Sequence, residues 1–252
     1  MRPAGRLRPA PMRVAGWSLP ARTVGSAHAR ARGVLHRPAR AGHAHHRLVR
    51  RVQLLQALQG PALTVAFAIP AGLAPEVYPL AWLVGRWEGD GVVSYPTIPE
   101  ARVHQEVVVD HDGGPYLRWS ATLWLAAEGA EGAEGAEGAQ DDEPRGQVWS
   151  TESGYWRIPP LRPADTPDGK EPVELLLIDP AGHLTLYAGI VGNGRIDLAS
   201  DLIARTPDAA EVNAATRLYG LVDGALLWAW DIAAFGEPLQ SYASARLVRS
   251  PR

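Results

Sequence analysis

From Trp82 onward, apolar and polar residues alternate in short runs that turn-forming residues separate. Alternation with a period of two is typical of half-buried β-strands. The pattern predicts strands over residues 86–95, 102–110, 115–126, 146–158, 172–179, 183–190, 195–205, 212–222, 225–233 and 239–249. The intervening stretches DGG, PAG, GNG and DG suit the positive φ of tight hairpins. Ten strands in hairpin succession, without helical patterns between them, predict an all-β fold: a ten-stranded antiparallel up-and-down β-barrel.

Two segments depart from this alternation. A short helix is predicted around PEVYPLAWLVG, with Leu80, Leu83 and Val84 on one side. The repeat EGAEGAEGAEGAQDDEP, residues 128–144, consists mostly of Gly, Ala and acidic residues. Such a composition cannot build a core, so we interpret the repeat as a solvated loop inserted between two strands.

The first part of the chain has a different composition and charge. Residues 1–51 contain 12 arginines and no acidic residue, whereas the remainder holds 13 basic and 27 acidic residues. Pro, Gly and Arg dominate without any apolar period, which predicts a disordered extension over residues 1–75 before a barrel domain over 76–250. The excess of acidic residues in the barrel disfavours a nucleic-acid partner there.

Three interpretations of the extension stay open: a basic arm that binds nucleic acid or anionic lipid, a targeting segment, or translated sequence upstream of the true start. The Arg50-Arg51 pair before an apolar stretch resembles a twin-arginine export signal. That stretch contains Gly60, Pro61 and Pro70, so it is a poor membrane span. The chain has no cysteine, which excludes disulfides and thiolate metal sites and favours the cytoplasm.

Few residues suggest catalysis or metal binding. The barrel contains three histidines, His104, His111 and His183, without a zinc motif or a carboxylate cluster beside them. A G-x-S-x-G nucleophile motif and a nucleotide-binding glycine loop are both absent from the sequence. We therefore expect no metal site and no hydrolase site.

The stretch VGRWEGDG places Gly85, Trp87, Gly89 and Gly91 at alternate positions, on one face of a strand. Glycine weakens a strand, so several on one face indicate a sharp bend of the barrel or room for a bulky neighbour. We expect these residues to have a structural role.

Tryptophan is unusually frequent, with nine Trp against two Phe. The pair Trp228 and Trp230 shares a face with Leu226 and Ile232. Rings of this size usually fill a core, but the interior of a ten-stranded barrel can exceed what side chains fill. The sequence therefore predicts a cavity for an apolar or planar ligand. Six tryptophans lie on predicted strands: Trp119, Trp124, Trp149, Trp156, Trp228 and Trp230.

The last strand, in PLQSYASARL, raises the question of what Tyr242 does. Strict alternation places Gln240, Tyr242, Ser244 and Arg246 on one face. A phenol in the middle of a strand can be a packing residue, a surface residue or a ligand.

Several motifs together resemble the nitrobindin family over about residues 76–249. They are LVGRWEGDGVVSYPTIPEARVHQEVV with the G-x-W-x-G-x-G pattern, SYPTI, SGYWRI, VELLLIDPAG, IARTPDAAEV and DIAAFGEPLQ. The resemblance implies a ten-stranded barrel similar to fatty-acid-binding proteins. It also implies a ferric b-type haem that binds nitric oxide and converts peroxynitrite to nitrate.

In that family the proximal haem ligand is a histidine in a pattern like P-L-Q-P-H-L-S-A-R-L. Alignment with PLQSYASARL places Tyr242 at the histidine and Ser241 at the preceding proline. Thr97 matches a pocket position of the family. Tyrosinate does ligate haem iron in catalases, but a phenol must first lose its proton.

Three hypotheses follow from the resemblance. The first is a nitrobindin-like barrel that has lost haem ligation and has no established catalysis, so that enzyme activity stays uncertain. The second is an active ferric haem b protein with Tyr242, or less favourably His104, as the axial ligand. The third is a carrier of a small apolar molecule in the same cavity. The sequence does not predict an oligomeric state.

Overall fold

The structure is a computed structural model and describes residues 69–126 and 146–250. Most of the predicted N-terminal extension and all of the predicted loop over 128–144 lie outside the described residues. A 3₁₀ helix spans Pro75–Leu83. The ten strands are β1 (Gly85–Tyr95), β2 (Ile98–Asp110), β3 (Leu117–Leu125), β4 (Val148–Arg157), β5 (Glu171–Ile178), β6 (His183–Gly192), β7 (Arg195–Arg205), β8 (Val212–Val222), β9 (Ala225–Ala234) and β10 (Gln240–Arg249).

The strands form one closed antiparallel barrel in which each strand pairs with its sequence neighbours and β1 pairs with β10. This confirms the predicted ten-stranded up-and-down barrel. Tight turns connect several strands as the sequence indicates. In the β6–β7 turn, Asn193 and Gly194 both adopt positive φ, of 55° and 67°, and in the β8–β9 turn Asp223 and Gly224 do the same at 50° and 78°.

The helix covers the end of the barrel at which β1 begins and β10 ends. Val77, Leu80 and Leu83 are buried in the same core as the strands. The Trp87 indole donates a hydrogen bond to the carbonyl of Leu83 at 2.7 Å, and the Arg249 guanidinium donates one to the carbonyl of Trp82 at 2.9 Å. The predicted helix is thus present in 3₁₀ form, and it fills one end of the barrel.

Aromatic rings fill the middle of the barrel. Trp119, Trp156, Tyr219 and Trp228 form a cluster with ring centroids 5.3 to 6.5 Å apart. The Trp228 indole donates a hydrogen bond to the buried Gln105 amide oxygen at 2.6 Å. Edge-to-face rings of this kind stabilise a core beyond their buried area. A cavity lies at the other end of the barrel.

The described helix is too short to cross a lipid bilayer.

Candidate functional site

A cavity of about 90 Å³ lies at the barrel end opposite the helix. It is bounded by the first residues of β4, β6, β8 and β10 and the last residues of β9, which an antiparallel barrel brings to the same end. Its wall combines large rings with a few polar groups. The principal side chains are Trp149, Glu152, Tyr187, Trp230, Ile232 and Tyr242.

Tyr242 faces this cavity because β10 contains a bulge. Ser241 pairs with Asp231 and Ala243 pairs with Trp230, so Tyr242 is an extra residue opposite neither of them. A bulge interrupts the alternation of faces and re-aims a side chain. Tyr242 is consequently buried, with 4% of its surface exposed, whereas Arg246 lies on the outside. The expectation that both share one face is wrong.

The Tyr242 ring is held by three aromatic neighbours. The Trp149 indole donates a hydrogen bond to its hydroxyl at 2.8 Å. Trp230 packs against it edge-on with ring centroids 4.9 Å apart, and Tyr95 does so at 6.1 Å. Burial raises the pKa of the Tyr242 phenol to about 12, against a smaller lowering by the Trp149 hydrogen bond and by Arg217. The group is therefore a neutral phenol at physiological pH.

Next to the cavity lies a buried ion pair between strands β4 and β8. Arg217 binds both carboxylate oxygens of Glu152 at 2.7 Å. The guanidinium also stacks over the Trp230 ring at 4.2 Å from its centroid and donates hydrogen bonds to the hydroxyls of Tyr187 and Tyr219. Bidentate pairing of this geometry satisfies both charges at once.

The Arg217–Glu152 pair and its burial affect the pKa values of the groups around it. Burial opposes the charge of Arg217, but Glu152 together with Tyr219 and Tyr187 outweighs this effect and raises the Arg217 pKa well above the ordinary value. Burial likewise raises the pKa of both Tyr187 and Tyr219, against a partial lowering by Arg217. The cavity wall thus holds neutral phenols, and the charge of Arg217 behind it is paired with the Glu152 carboxylate.

His183 lies at the mouth of the cavity, at the start of β6. Its Nδ1 is 3.3 Å from a carboxylate oxygen of Asp179, and its Nε2 is 2.8 Å from the carbonyl oxygen of Ala210. The hydrogen bond with Asp179 raises the His183 pKa, against the opposing effect of burial. Both ring nitrogens are engaged by the protein, so neither is free to bind a ligand.

The glycines of the G-x-W-x-G-x-G motif lie at the seam between β1 and β10. A Cβ atom on Gly89 would collide with the backbone carbonyl of Arg246, and one on Gly91 with that of Ser244. Trp87 is fully buried, and the Arg249 guanidinium stacks over its ring at 4.2 Å. Gly85 begins β1, beside the Arg249 side chain. The motif therefore lies where β1 and β10 pair to close the barrel, and none of its residues lines the cavity.

Two other candidate residues lie away from the cavity. Thr97 is exposed in the turn between β1 and β2 and is not part of the cavity wall. His104 is on the outside of the barrel, between Asp90 at 3.0 Å and Glu88 at 3.1 Å, because its neighbour Gln105 faces inward. His104 is therefore wrongly placed to serve as an axial ligand in the cavity.

The sequence did not identify the Arg217–Glu152 ion pair, and it did not identify Trp149 as the hydrogen-bond partner of Tyr242. Arg217 lies between Ala215 and Tyr219 on the inward face of β8, and a charged residue at that position of an alternating strand was a readable signal. Glu152 carried no comparable signal, because β4 is mostly half-buried and shows no clean alternation. Within the described ranges, no cluster of three or more His, Cys, Asp or Glu side chains could hold a metal ion.

A closed barrel of ten antiparallel strands with a small cavity at one end defines a class of small-ligand-binding β-barrels. Residues 76–249 match the family described as "THAP4-like, heme-binding beta-barrel domain". The chain belongs to this family, which is the nitrobindin family, as the sequence motifs indicated.

Relatives in several bacteria carry two different names. A "Ferric nitrobindin-like protein" of Beutenbergia cavernae is 50% identical over 210 residues, which cover 73% of this chain and 99% of the relative. A "Peroxynitrite isomerase" of Clavibacter michiganensis is 41% identical over 207 residues, covering 71% of this chain and 96% of the relative. The crystal structure of Rv2717c from M. tuberculosis superimposes with a TM-score of 0.56 at 30% identity, over 71% of this chain and 99% of that one.

Proposed function

We propose that this chain is a nitrobindin-family barrel that has lost the family's haem ligation, and that its cavity binds a small apolar molecule instead. The observation that carries the proposal is the state of Tyr242: a buried, neutral phenol whose oxygen already accepts the Trp149 hydrogen bond. By the alignment of PLQSYASARL, this residue occupies the position of the family's haem-binding histidine.

The exchange of imidazole for phenol weakens iron binding for a physical reason. A neutral imidazole offers a lone pair at pH 7, whereas a phenol must release a proton to become a strong ligand. Burial at this site makes that release harder, since it raises the Tyr242 pKa to about 12. Arg217 is the cation that would help, but Glu152 neutralises it through two hydrogen bonds.

The cavity also fits a haem poorly. Its enclosed volume of about 90 Å³ suits a molecule near the size of a single aromatic ring, and a haem would have to extend out of its open mouth. The face and edge of Tyr242 are already packed by Trp230 and Tyr95. The residues present therefore do not fit a haem, and they do fit a small ligand.

The competing function is a ferric haem b protein that binds nitric oxide and isomerises peroxynitrite to nitrate, with Tyr242 as the axial ligand. The family description and the relatives named peroxynitrite isomerase favour it. We also propose a cytoplasmic location, supported by the absence of cysteine, and no nucleic-acid partner for the acidic barrel.

Titration of the purified full chain with ferric haem separates the two functions. We expect no saturable binding and no sharp Soret band, because the phenol keeps its proton. In Tyr242→His, an imidazole takes the place of the phenol, and we expect haem affinity to rise by at least tenfold, roughly the worth of one strong interaction. Tyr155→His is the matched control, because Tyr155 is 51% exposed on the outside of the barrel.

A sharp Soret band in the native chain that disappears in Tyr242→Phe would establish the competing function. Equal haem affinity of the native chain and Tyr242→His would contradict the role assigned to residue 242.

A further inference from the structure

Two hydroxyl protons in the wall of the cavity have no hydrogen-bond acceptor among the described residues. The Tyr242 hydroxyl accepts from Trp149, so its own proton is free, and the Tyr187 hydroxyl accepts from Arg217 in the same way. The indole N–H of Trp230 is buried and makes no hydrogen bond of normal geometry; it interacts weakly with the Tyr187 hydroxyl. Buried donors of this kind cost free energy unless a partner satisfies them.

The Tyr242 and Tyr187 hydroxyls belong to one connected group of side chains. Tyr242 and Trp230 are in ring contact, with centroids 4.9 Å apart, and the Arg217 guanidinium lies between the Trp230 and Tyr187 rings, 4.2 and 5.3 Å from their centroids. Tyr242 on β10 and Tyr187 on β6 both line the cavity. Tyr95 provides a contrast, because its hydroxyl is fully used: it accepts from the Ala234 amide and donates to the Ile232 carbonyl.

The charges around the cavity argue against an anionic ligand. Arg217 is the cation nearest to these donors, and Glu152 occupies it with both carboxylate oxygens at 2.7 Å. At the mouth, the imidazole of His183 is paired with the carboxylate of Asp179. An anion would lose its hydration without gaining a free counter-charge, which is costly in a buried site.

We infer that the cavity binds a small neutral molecule with a ring-sized apolar body and one hydrogen-bond acceptor oxygen, such as an aromatic ketone, whose oxygen accepts from the Tyr242 hydroxyl. The inference rests on the proposed function. It narrows the class of ligand from any small apolar molecule to an apolar molecule that also carries one neutral hydrogen-bond acceptor. The rest of the wall suits the apolar body, with Ile203, Val212, Ala215 and Ile232 around it.

Three probes of similar size test this inference on the native full chain by titration calorimetry. Acetophenone carries a neutral acceptor, ethylbenzene carries none, and benzoate carries a charged one. We expect acetophenone to bind with a dissociation constant about tenfold lower than that of ethylbenzene, the value of one or two net hydrogen bonds. Benzoate should bind more weakly than acetophenone.

Variants assign the preference to particular donors. In Tyr242→Phe the ratio of the ethylbenzene to the acetophenone dissociation constant should shrink to less than about threefold. Tyr155→Phe removes an exposed hydroxyl from the outside of the barrel and should change nothing. As a second measurement, the ¹³Cζ resonance of Tyr242, assigned by its loss in Tyr242→Phe, should move with acetophenone and stay in place with ethylbenzene.

Each other outcome has a definite meaning. Equal binding of acetophenone and ethylbenzene overturns the inference and leaves the carrier function intact. Tighter binding of benzoate overturns the neutral-acceptor assignment. Binding of none of the three probes overturns both the inference and the carrier function, and the haem titration described above then decides whether the competing function holds.

Discussion

At the scale of single residues, the ion pair of Arg217 and Glu152 determines what the cavity can bind. Moving two charges into the interior of a barrel costs desolvation free energy. Their mutual attraction offsets this loss only when the geometry is good and further hydrogen bonds form. Here the geometry is bidentate, and Tyr187, Tyr219 and Trp119 contribute hydrogen bonds to the pair. The pair fixes the position of the Trp230 ring and leaves no free positive charge for an anionic ligand.

Removal of one member of this pair should be strongly destabilising. In Arg217→Met the Glu152 carboxylate loses its partner inside the protein, and we expect the free energy of unfolding to fall by about 3–5 kcal/mol. Urea denaturation followed by circular dichroism measures the change. The control is Arg118→Met, which removes half of an exposed pair with Asp110 and should cost less than about 1 kcal/mol. Equal losses of unfolding free energy in the two variants would show that the buried pair stabilises the protein no more than the exposed pair does.

The position of Tyr242 shows where reasoning from single residues in the sequence fails. Alternation assigned it to the same face as Arg246, but the bulge between Ser241 and Ala243 turns it inward. One extra residue changes the face of every residue beyond it, and nothing in the letters QSYAS signals the bulge. The resemblance to a known family, and not the periodicity, pointed to this residue as part of a site.

At the scale of strands and turns, the sequence predicted nearly all of the structure described here. The period-two alternation and the hairpin signals located all ten strands, and the glycine motif indicated a sharp bend or room for a bulky neighbour. The reason for the glycines is more specific than either expectation: at Gly89 and Gly91 the backbone of β10 occupies the space that a Cβ atom would need. Close approach of two strands is a property of their pairing, which a sequence does not display.

The turn between β5 and β6 is joined to the segment before β8 by His183. In its protonated form this residue donates both to Asp179 and to the Ala210 carbonyl, whereas the neutral ring can donate only once. Its pKa is raised by the Asp179 hydrogen bond, with an opposing effect of Arg205. The contribution to stability is therefore complete below the unfolded-state pKa of about 6.5 and is lost as the pH rises through the folded-state value.

Thermal unfolding of the native chain and His183→Gln at two pH values tests this linkage. At about pH 5.5 we expect the variant to be less stable by about 1.5–3 kcal/mol, the value of hydrogen bonds to a charged group. At a second pH, above the raised folded-state pKa of His183, the difference should be clearly smaller, because the imidazole is then neutral in both states. His111→Gln provides the comparison for a histidine without an ion pair in the described part of the chain. A difference that grows with pH would contradict the assigned sign.

At the scale of the whole molecule, the barrel has two unlike ends. The 3₁₀ helix and the glycine seam close one end, aromatic rings fill the middle, and the cavity occupies the other end. The sequence predicted a barrel and a cavity, but the cavity's size depends on how Trp149, Trp230 and Tyr242 pack against one another. Packing of large rings is decided by contacts between distant strands, so its result could not be derived from periodicity.

Both proposals depend on one property of the barrel: Tyr242 is a protonated hydrogen-bond donor in the cavity and not a tyrosinate. The ¹³Cζ resonance of Tyr242, assigned by its loss in Tyr242→Phe, reports this directly in a pH titration of the full chain. We predict a phenol signal that persists through about pH 10, the ordinary pKa of tyrosine, and deprotonation only near pH 12. A tyrosinate signal near neutral pH, or a midpoint below about pH 10, would contradict the account.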